Sequence, residues 1–258
     1  MKKTFLSVAL LAALSTTSFA QFKINAKAVS AASKGVKAAT FSDADAAKLA
    51  KEAVDWMDAN NPVAKEDDPY AIRLNKIFAK HKTEDGLALN YKVYLVKDIN
   101  AFACADGSIR VFAALMDLMT DDEILSVIGH EIGHVKNKDT RDAIRAAYQR
   151  AAVTDAASSQ SGIAAQLTES QLGQFANAFL ESKYSRKQES EADDYGYDFL
   201  KRNGYDVMAM AGAFNKLADL SSGAQASNTQ KMLSSHPDSK DRAQKVIEKA
   251  KKDGLYKN

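Results

Sequence analysis

The chain has 258 residues, 46% of them hydrophobic, with 35 basic side chains against 33 acidic ones and a single cysteine. Such a near balance offers no basic surface for a nucleic-acid backbone, and one cysteine closes no internal disulfide. The length is enough to bury one substantial core.

The first twenty residues, MKKTFLSVALLAALSTTSFA, place Lys2 and Lys3 before an apolar run from Phe5 to Leu14 and end in Ser18-Phe19-Ala20. This pattern predicts a secretory signal cut after Ala20, and so export from the cytoplasm. An apolar run of about ten residues is half of what a membrane-spanning helix needs. The next most apolar stretch, 109-IRVFAALMDLM-119, is broken by Arg110 and Asp117, so no transmembrane segment is expected in the mature chain. Residue 21 is Gln, which leaves no lipid-bearing cysteine after the cut, and losing two lysines makes the remainder formally neutral. Residues 21–41 read as a flexible leader, and 42–258 as one domain.

Ser42 and Asp45 form a capping box, after which Leu49, Ala53, Trp56 and Met57 share one helical face until Asn60-Asn61-Pro62. A second helix from about Asp68 carries Tyr70, Leu74, Ile77 and Phe78, with His81 as a packed histidine at the end of that stripe. The period then changes to two in 91-YKVYLVKD-98 and again in 109-IRVFA-113, with a turn at Asp106-Gly107. These segments predict one small sheet, a hairpin or meander. Cys104, on or beside a strand, reads as a small apolar residue. Thr120 and Glu123 make a second capping box, with Asp121 and Asp122 where the helix dipole favours acids. Residues 151–170, rich in Ala, Ser and Gln, read as an insertion or a surface helix. Helical patterns return at Leu172–Tyr184, Glu189–Arg202 and Asp206–Leu220. The loop 221-SSGAQASNTQKMLSS-235 precedes a last helix from His236 to about Lys251. Helix dominates, which predicts an α+β fold.

The helix opened by Thr120 contains 127-VIGHEIGHVK-136. Residues four apart stack on one helical face, so His130 and His134 can offer imidazole nitrogens to one ion. Glu131 stands about 100° round from His130, where a carboxylate leans over the ion without ligating it, as a general base would. Leu125, Ile128, Ile132 and Val135 supply an apolar side. An extended HExxHxxGxxH pattern is excluded by Asn137 and Thr140, so a third ligand has to come from a later helix. The stretch 185-SRKQESEADDYG-196 offers Glu189, with Asp193 on the same face to accept the other ring N–H of a ligand histidine, expected to be His130. Glu191 is the alternative third ligand.

HEIGH, then SRKQESEAD, then 236-HPDSKDR-242, together resemble the zinc metallopeptidases of the HtpX and CAAX prenyl protease type, within the gluzincins, over roughly residues 42–250. Within that family the chain is similar to small periplasmic LoiP-like members. The resemblance implies a predominantly helical zincin fold and one zinc ion per chain held by His130, His134 and Glu189. It implies Glu131 as base, His236 stabilising the oxyanion, Arg242 positioning the site, and peptide-bond hydrolysis. It also implies an edge strand over the metal that pairs with extended substrate, and Asn100, Ala101, Phe102 and Ala103 lie in the only candidate strand just before the active-site helix. The expected substrates are unfolded or envelope polypeptides, cleaved as quality control, and the loop 221–235 is expected to gate the site. The contrasting expectation is a non-catalytic periplasmic chaperone in which zinc is structural.

Overall fold

The structure, a computed structural model, describes residues 42–153, 167–221, 232 and 235–256. The expected signal and leader lie outside the described residues. So do most of the 151–170 segment and, apart from Ser221, Met232 and Ser235, the expected gating loop. In chain order the elements are α1 (Asp43–Asn60), α2 (Pro69–Ile77), β1 (Thr83–Glu84), β2 (Leu87–Ala88), β3 (Asn90–Tyr94), β4 (Ala101–Ala103) and β5 (Ser108–Phe112). They continue with α3 (Ala113–Leu118), α4 (Asp121–Lys136), α5 (Asp139–Val153), α6 (Glu169–Leu180), α7 (Arg186–Arg202), α8 (Met208–Ser221) and α9 (Ser239–Lys252). The fold is α+β and mostly helical.

Side-chain caps set where the key helices begin. Ser42 with Asp45 opens α1, Thr120 with Glu123 opens α4 and Ser185 with Gln188 opens α7, each pair satisfying two orphan backbone N–H groups reciprocally. Losing such a cap costs about 1 kcal/mol.

Two sheets form where one was expected: β1 and β2 make a separate two-stranded antiparallel ladder, and the three-stranded sheet departs from a meander. The two segments read as strands, β3 and β5, pair in parallel, while β4 forms an antiparallel hairpin with β5 on its other side, giving the order β3-β5-β4. Alternating polarity decides which face a side chain takes and says nothing about which strand becomes its neighbour. The turn before β5 needs Gly107 at φ +86°, where a Cβ would sit 2.0 Å from the Ala88 carbonyl oxygen.

This sheet separates two apolar clusters. Val93, Ala101, Ile109 and Val111 face the larger one, packed with Leu74, Leu115, Ile128, Phe199 and Val246 from α2, α3, α4, α7 and α9. Tyr94, Phe102 and Phe112 face the smaller one, with Leu49, Ile144 and Phe175 from α1, α5 and α6. Trp56 joins this smaller cluster by lying against Gly173, whose absent Cβ would meet the indole Cζ2 at 2.9 Å. Each fully buried Leu, Ile or Phe contributes roughly 1.5–3 kcal/mol.

Arg110, which interrupts the apolar run in the sequence, is only 2% exposed in the central strand. Asp58 holds it with two hydrogen bonds of 2.8 and 2.9 Å and also accepts from Lys92 and Tyr94. Burial pushes the Asp58 carboxyl up, but Arg110, Lys92 and Tyr94 outweigh it and bring the carboxyl down to about 2. A depressed carboxylate contributes stability that is complete above its unfolded value near 4 and is lost as pH falls through about 2. Asp58→Asn should therefore cost roughly 2 kcal/mol at pH 7 and flatten the acid limb between about pH 4 and 2. Urea unfolding of chelator-treated protein at pH 7 and pH 3, followed by circular dichroism, checks this. Parallel pH dependence in parent and variant would refute it.

Candidate metal centre

α4 is buried on every side from Glu123 to His134, not only along one stripe. It lies between β4, α7 and α8, so its polar side chains face a protein interior. Glycines set its distance from α7. A Cβ on Gly129 would meet Phe199 at 2.9 Å, one on Gly133 would meet the Ala192 backbone at 3.0 Å, and one on Gly196 would meet the His130 backbone nitrogen at 3.0 Å. The two backbones therefore approach more closely than ordinary side chains allow.

This approach brings His130 and His134 to Glu189, and His236 joins them just before α9. Each offers one donor atom, and the four donor atoms lie within 4.8 Å of one another, all on buried residues. His130 Nε2 is 3.1 Å from His134 Nε2, and His236 Nδ1 is 3.0 Å from Glu189 Oε1. His130 Nδ1 lies 2.9 Å from Asp193 Oδ1, and His134 Nδ1 lies 2.9 Å from Asp139 Oδ2. With an N–H on each Nδ1 donating to its carboxylate, both Nε2 lone pairs are left for the centre.

Asp139 is a residue the sequence reading missed. Asn137 caps α4, Lys138 takes a left-handed φ of +67°, and the chain turns so that Asp139 reaches back to a histidine five positions earlier. Gln188 holds Asp139 in place: its Oε1 accepts from the Ser185 N–H in the capping box, and its amide Nε2 donates to Asp139 Oδ1 at 2.8 Å. Tyr184 was missed as well. Its ring stacks on His134 with centroids 3.9 Å apart and 16° between planes. An acid five residues beyond HExxH was a readable signal for Asp139; no sequence signal marked Tyr184.

Arg242 reaches the centre from α9. Its Nε and Nη2 donate to the two Asp193 oxygens at 2.8 and 2.6 Å, and Nη1 lies 2.6 Å from Glu189 Oε2, in an ion pair that lacks hydrogen-bond alignment. Phe214 lies under the guanidinium, 4.1 Å from Cζ to ring centroid. Glu131 is different. Its Oε1 is buried with no hydrogen-bond partner among the described residues, and the closest recorded polar neighbour is His236 Nε2 at 3.5 Å.

Burial opposes ionisation of Glu189, but His236 and His134 beside it hold the carboxyl far below the usual range. Burial and then Arg242 push His130 down. Burial also works against protonated His134, yet Asp139 and Glu189 lift it to about 9. Four carboxylates, Glu131, Asp139, Glu189 and Asp193, face one guanidinium here, a surplus of negative charge suited to a dication. Three imidazoles and a carboxylate converging on one point, with an unpartnered buried carboxylate oxygen beside them, fit a divalent metal ion.

The remaining sequence candidates lie elsewhere. Glu191, the alternative ligand, is exposed and pairs with Lys187 at 3.7 Å. His81 is buried away from the centre, with Nε2 2.8 Å from the Tyr205 hydroxyl. Cys104 is buried and its thiol is pushed well up by that burial, which leaves no thiolate for attack. Asn100, Ala101, Phe102 and Ala103 run along β4 against α4, and no strand pairs with its other side among the described residues. That edge is shielded, since Ala101, Phe102 and Ala103 are 2%, 5% and 2% exposed.

The pattern described as Peptidase family M48 matches residues 73–250. The chain is 44% identical to the "Metalloprotease YcaL" of Escherichia coli strain K12, over 85% of each chain. It is 40% identical to the "Metalloprotease LoiP" of the same strain, over 88% of this chain and 89% of that one. It is also similar to a "Putative beta-barrel assembly-enhancing protease" of Vibrio cholerae, 29% identical over 62% of this chain and 35% of that longer protein.

Proposed function

The chain belongs to peptidase family M48 and is a metalloendopeptidase, and we propose that its metal is zinc, held by His130, His134 and Glu189, and that it cuts unfolded or envelope polypeptides in the periplasm. The observation that carries this reading is Glu131 Oε1, a buried acceptor with no hydrogen-bond partner among the described residues, 3.5 Å from Nε2 of His236 in the donor group. Zinc, when bound, polarises the scissile carbonyl and acidifies water at the site. Glu131 takes the proton of the attacking water and delivers it to the leaving amine. His236, whose Nε2 lies beside Glu131, steadies the negative charge that develops on the carbonyl oxygen. Arg242 holds Asp193 and Glu189, and Asp193 and Asp139 keep the two imidazoles in the tautomer that points Nε2 inward.

In the present arrangement His236 stands as a fourth donor. Hydrolysis needs one position free, so the His236 side chain has to give way to substrate. Four protein donors also describe a structural zinc site, which is what favours the chaperone alternative. A structural site has no use for the unpaired Glu131 oxygen, and the peptidase reading is preferred on that ground.

Zinc-loaded protein should degrade unfolded casein, stop on chelation and recover with zinc. Degradation that ignores chelation would reject the metal role. Asp139→Ala and Asp193→Ala should each weaken zinc binding about 10–100-fold while leaving the ligand set intact. Competition with a chromogenic chelator measures it, and unchanged affinity in both would remove their orienting role. For substrate, the proposed mode is strand addition to β4, which requires what shields that edge to move aside; main-chain pairing then gives affinity with little sequence preference. Proline at residues flanking the cut should impair cleavage, and peptides indifferent to proline would argue against it. Export rests on the first twenty residues, and the periplasm as its destination on the resemblance to small periplasmic members of the family. The name of the Vibrio relative, which ties that protein to β-barrel assembly, is compatible with envelope substrates.

A further inference from the structure

The start of α7 meets the donor group through several side chains. Tyr184, just before the capping serine, lies on the His134 ring, Glu189 offers its carboxylate, and Asp193 takes the Nδ1 side of His130. Gln188 touches no donor. It is the third residue of the helix, and its Oε1 accepts from the Ser185 N–H and from the Ser185 hydroxyl, both at 2.9 Å. A capping box needs only that oxygen, and α1 and α4 carry acids at the same position, Asp45 and Glu123. The amide nitrogen of Gln188 is therefore surplus to the cap. It donates to Asp139 Oδ1 at 2.8 Å, while Asp139 Oδ2 lies 2.9 Å from His134 Nδ1. Turning the amide over would set oxygen against the Asp139 carboxylate and N–H against the Ser185 N–H, so chemistry fixes its orientation.

Asp139 is 6% exposed, and His134 and Gln188 are its hydrogen-bonding side chains among the described residues. Without the amide, one oxygen of a buried carboxylate loses its donor and the plane of the carboxylate is no longer fixed. The imidazole that it holds would loosen with it. We infer that Gln188 is a positioning residue of the metal centre: through Asp139 it sets the direction in which His134 presents Nε2. The inference rests on the reading of His134 as a metal ligand and deepens it. One glutamine ties that ligand, on α4, to the helix start that delivers Glu189, so the two helices reach the ion in a fixed relation. A glutamate at position 188 would cap α7 as well but could not donate to Asp139.

A double-mutant cycle in the full chain tests this, with zinc affinity read by competition with a chromogenic chelator at pH 7. The proteins are the parent, Gln188→Glu, Asp139→Asn and the double variant. In the double variant the contact is reversed: an asparagine amide at 139 donates to a carboxylate at 188, and its oxygen still accepts from His134. Gln188→Glu should act about 10-fold less favourably on zinc affinity beside the native Asp139 than in the Asp139→Asn background, as befits two groups in contact. A long-range effect of the added charge, or any change in capping, acts alike in both backgrounds and cancels. Equal effects in the two backgrounds, with parental circular dichroism, would overturn the positioning role. If Asp139→Asn loses helix content, Gln188→Met and Ser185→Ala decide instead. The first should weaken zinc about 10-fold and the second, which spares the amide, should weaken it less; equal losses would return Gln188 to capping alone. Parental zinc affinity in His134→Ala would remove the ligand on which Gln188 acts and overturn the inference with it. Coupling between positions 188 and 139 in a chain that cleaves no casein would support Gln188 and reject the peptidase reading.

Discussion

Glu131→Gln removes peptide hydrolysis, by at least about 10³-fold in kcat, while zinc content and thermal unfolding remain parental. The substitution keeps shape and volume at a residue that is 3% exposed, so no cavity opens. Glu131 Oε1 makes no hydrogen bond among the described residues, so the amide forfeits none there. It supplies no ligand in the proposed set, so metal affinity is expected to hold. What disappears is a group able to accept a proton. Casein digestion by zinc-loaded parent and variant, with metal measured by mass spectrometry on the same samples, gives the answer. A variant that digests casein at the parental rate would remove Glu131 as the base and the peptidase mechanism with it.

Glu189→Ala has the second large effect, a loss of zinc affinity of at least about 100-fold together with activity. Glu189 is the one carboxylate in the donor group, and it stands 3.6 Å from His130 Nε2 and 3.5 Å from His134 Nε2. Arg242 keeps its two hydrogen bonds to Asp193, so the variant does not strand a buried cation. The fold should persist. A ligand that binds only the folded state stabilises by RT ln(1 + [L]/Kd), so zinc at 100 times its Kd adds about 2.7 kcal/mol to the parent. Calorimetry should show the melting temperature of the parent rising with zinc and that of Glu189→Ala staying flat. Parental zinc affinity in the variant would mean that His236 serves as the third ligand.

Local rules carried much of what was legible in the sequence. The Ser42–Asp45 and Thr120–Glu123 boxes start α1 and α4 where three-residue spacing puts them. The four-residue spacings of His130 with His134 and of Glu189 with Asp193 place each pair on one helical face, and such a spacing can be read without knowing the partner helix. Long-range choices were not written in any local period. β3 joins β5 in parallel because of how residues 95–100 carry the chain past the hairpin, and alternation is silent on that. Tyr184 meets His134 across 50 positions of chain, and nothing about a tyrosine before a capping serine marks a stack on an imidazole. The close approach of Gly129, Gly133 and Gly196 also depends on two distant segments meeting, although glycines flanking HE-x-x-H read in hindsight as a contact surface.

The lone tryptophan sits on Gly173 in the smaller apolar cluster, on the opposite side of the sheet from α7 and α9. Its emission therefore reports the packing of α1 against α6, not events at the donors. Zinc titrations followed by intrinsic fluorescence should be nearly silent even while the ion binds, whereas Tyr184, stacked on His134, should change its near-ultraviolet dichroism. Denaturant curves read at the indole and through retention of bound zinc thus observe different layers of one molecule. Coincident curves would mean that the two layers unfold as a unit; separated ones would mean that the α1–α6 layer loosens on its own.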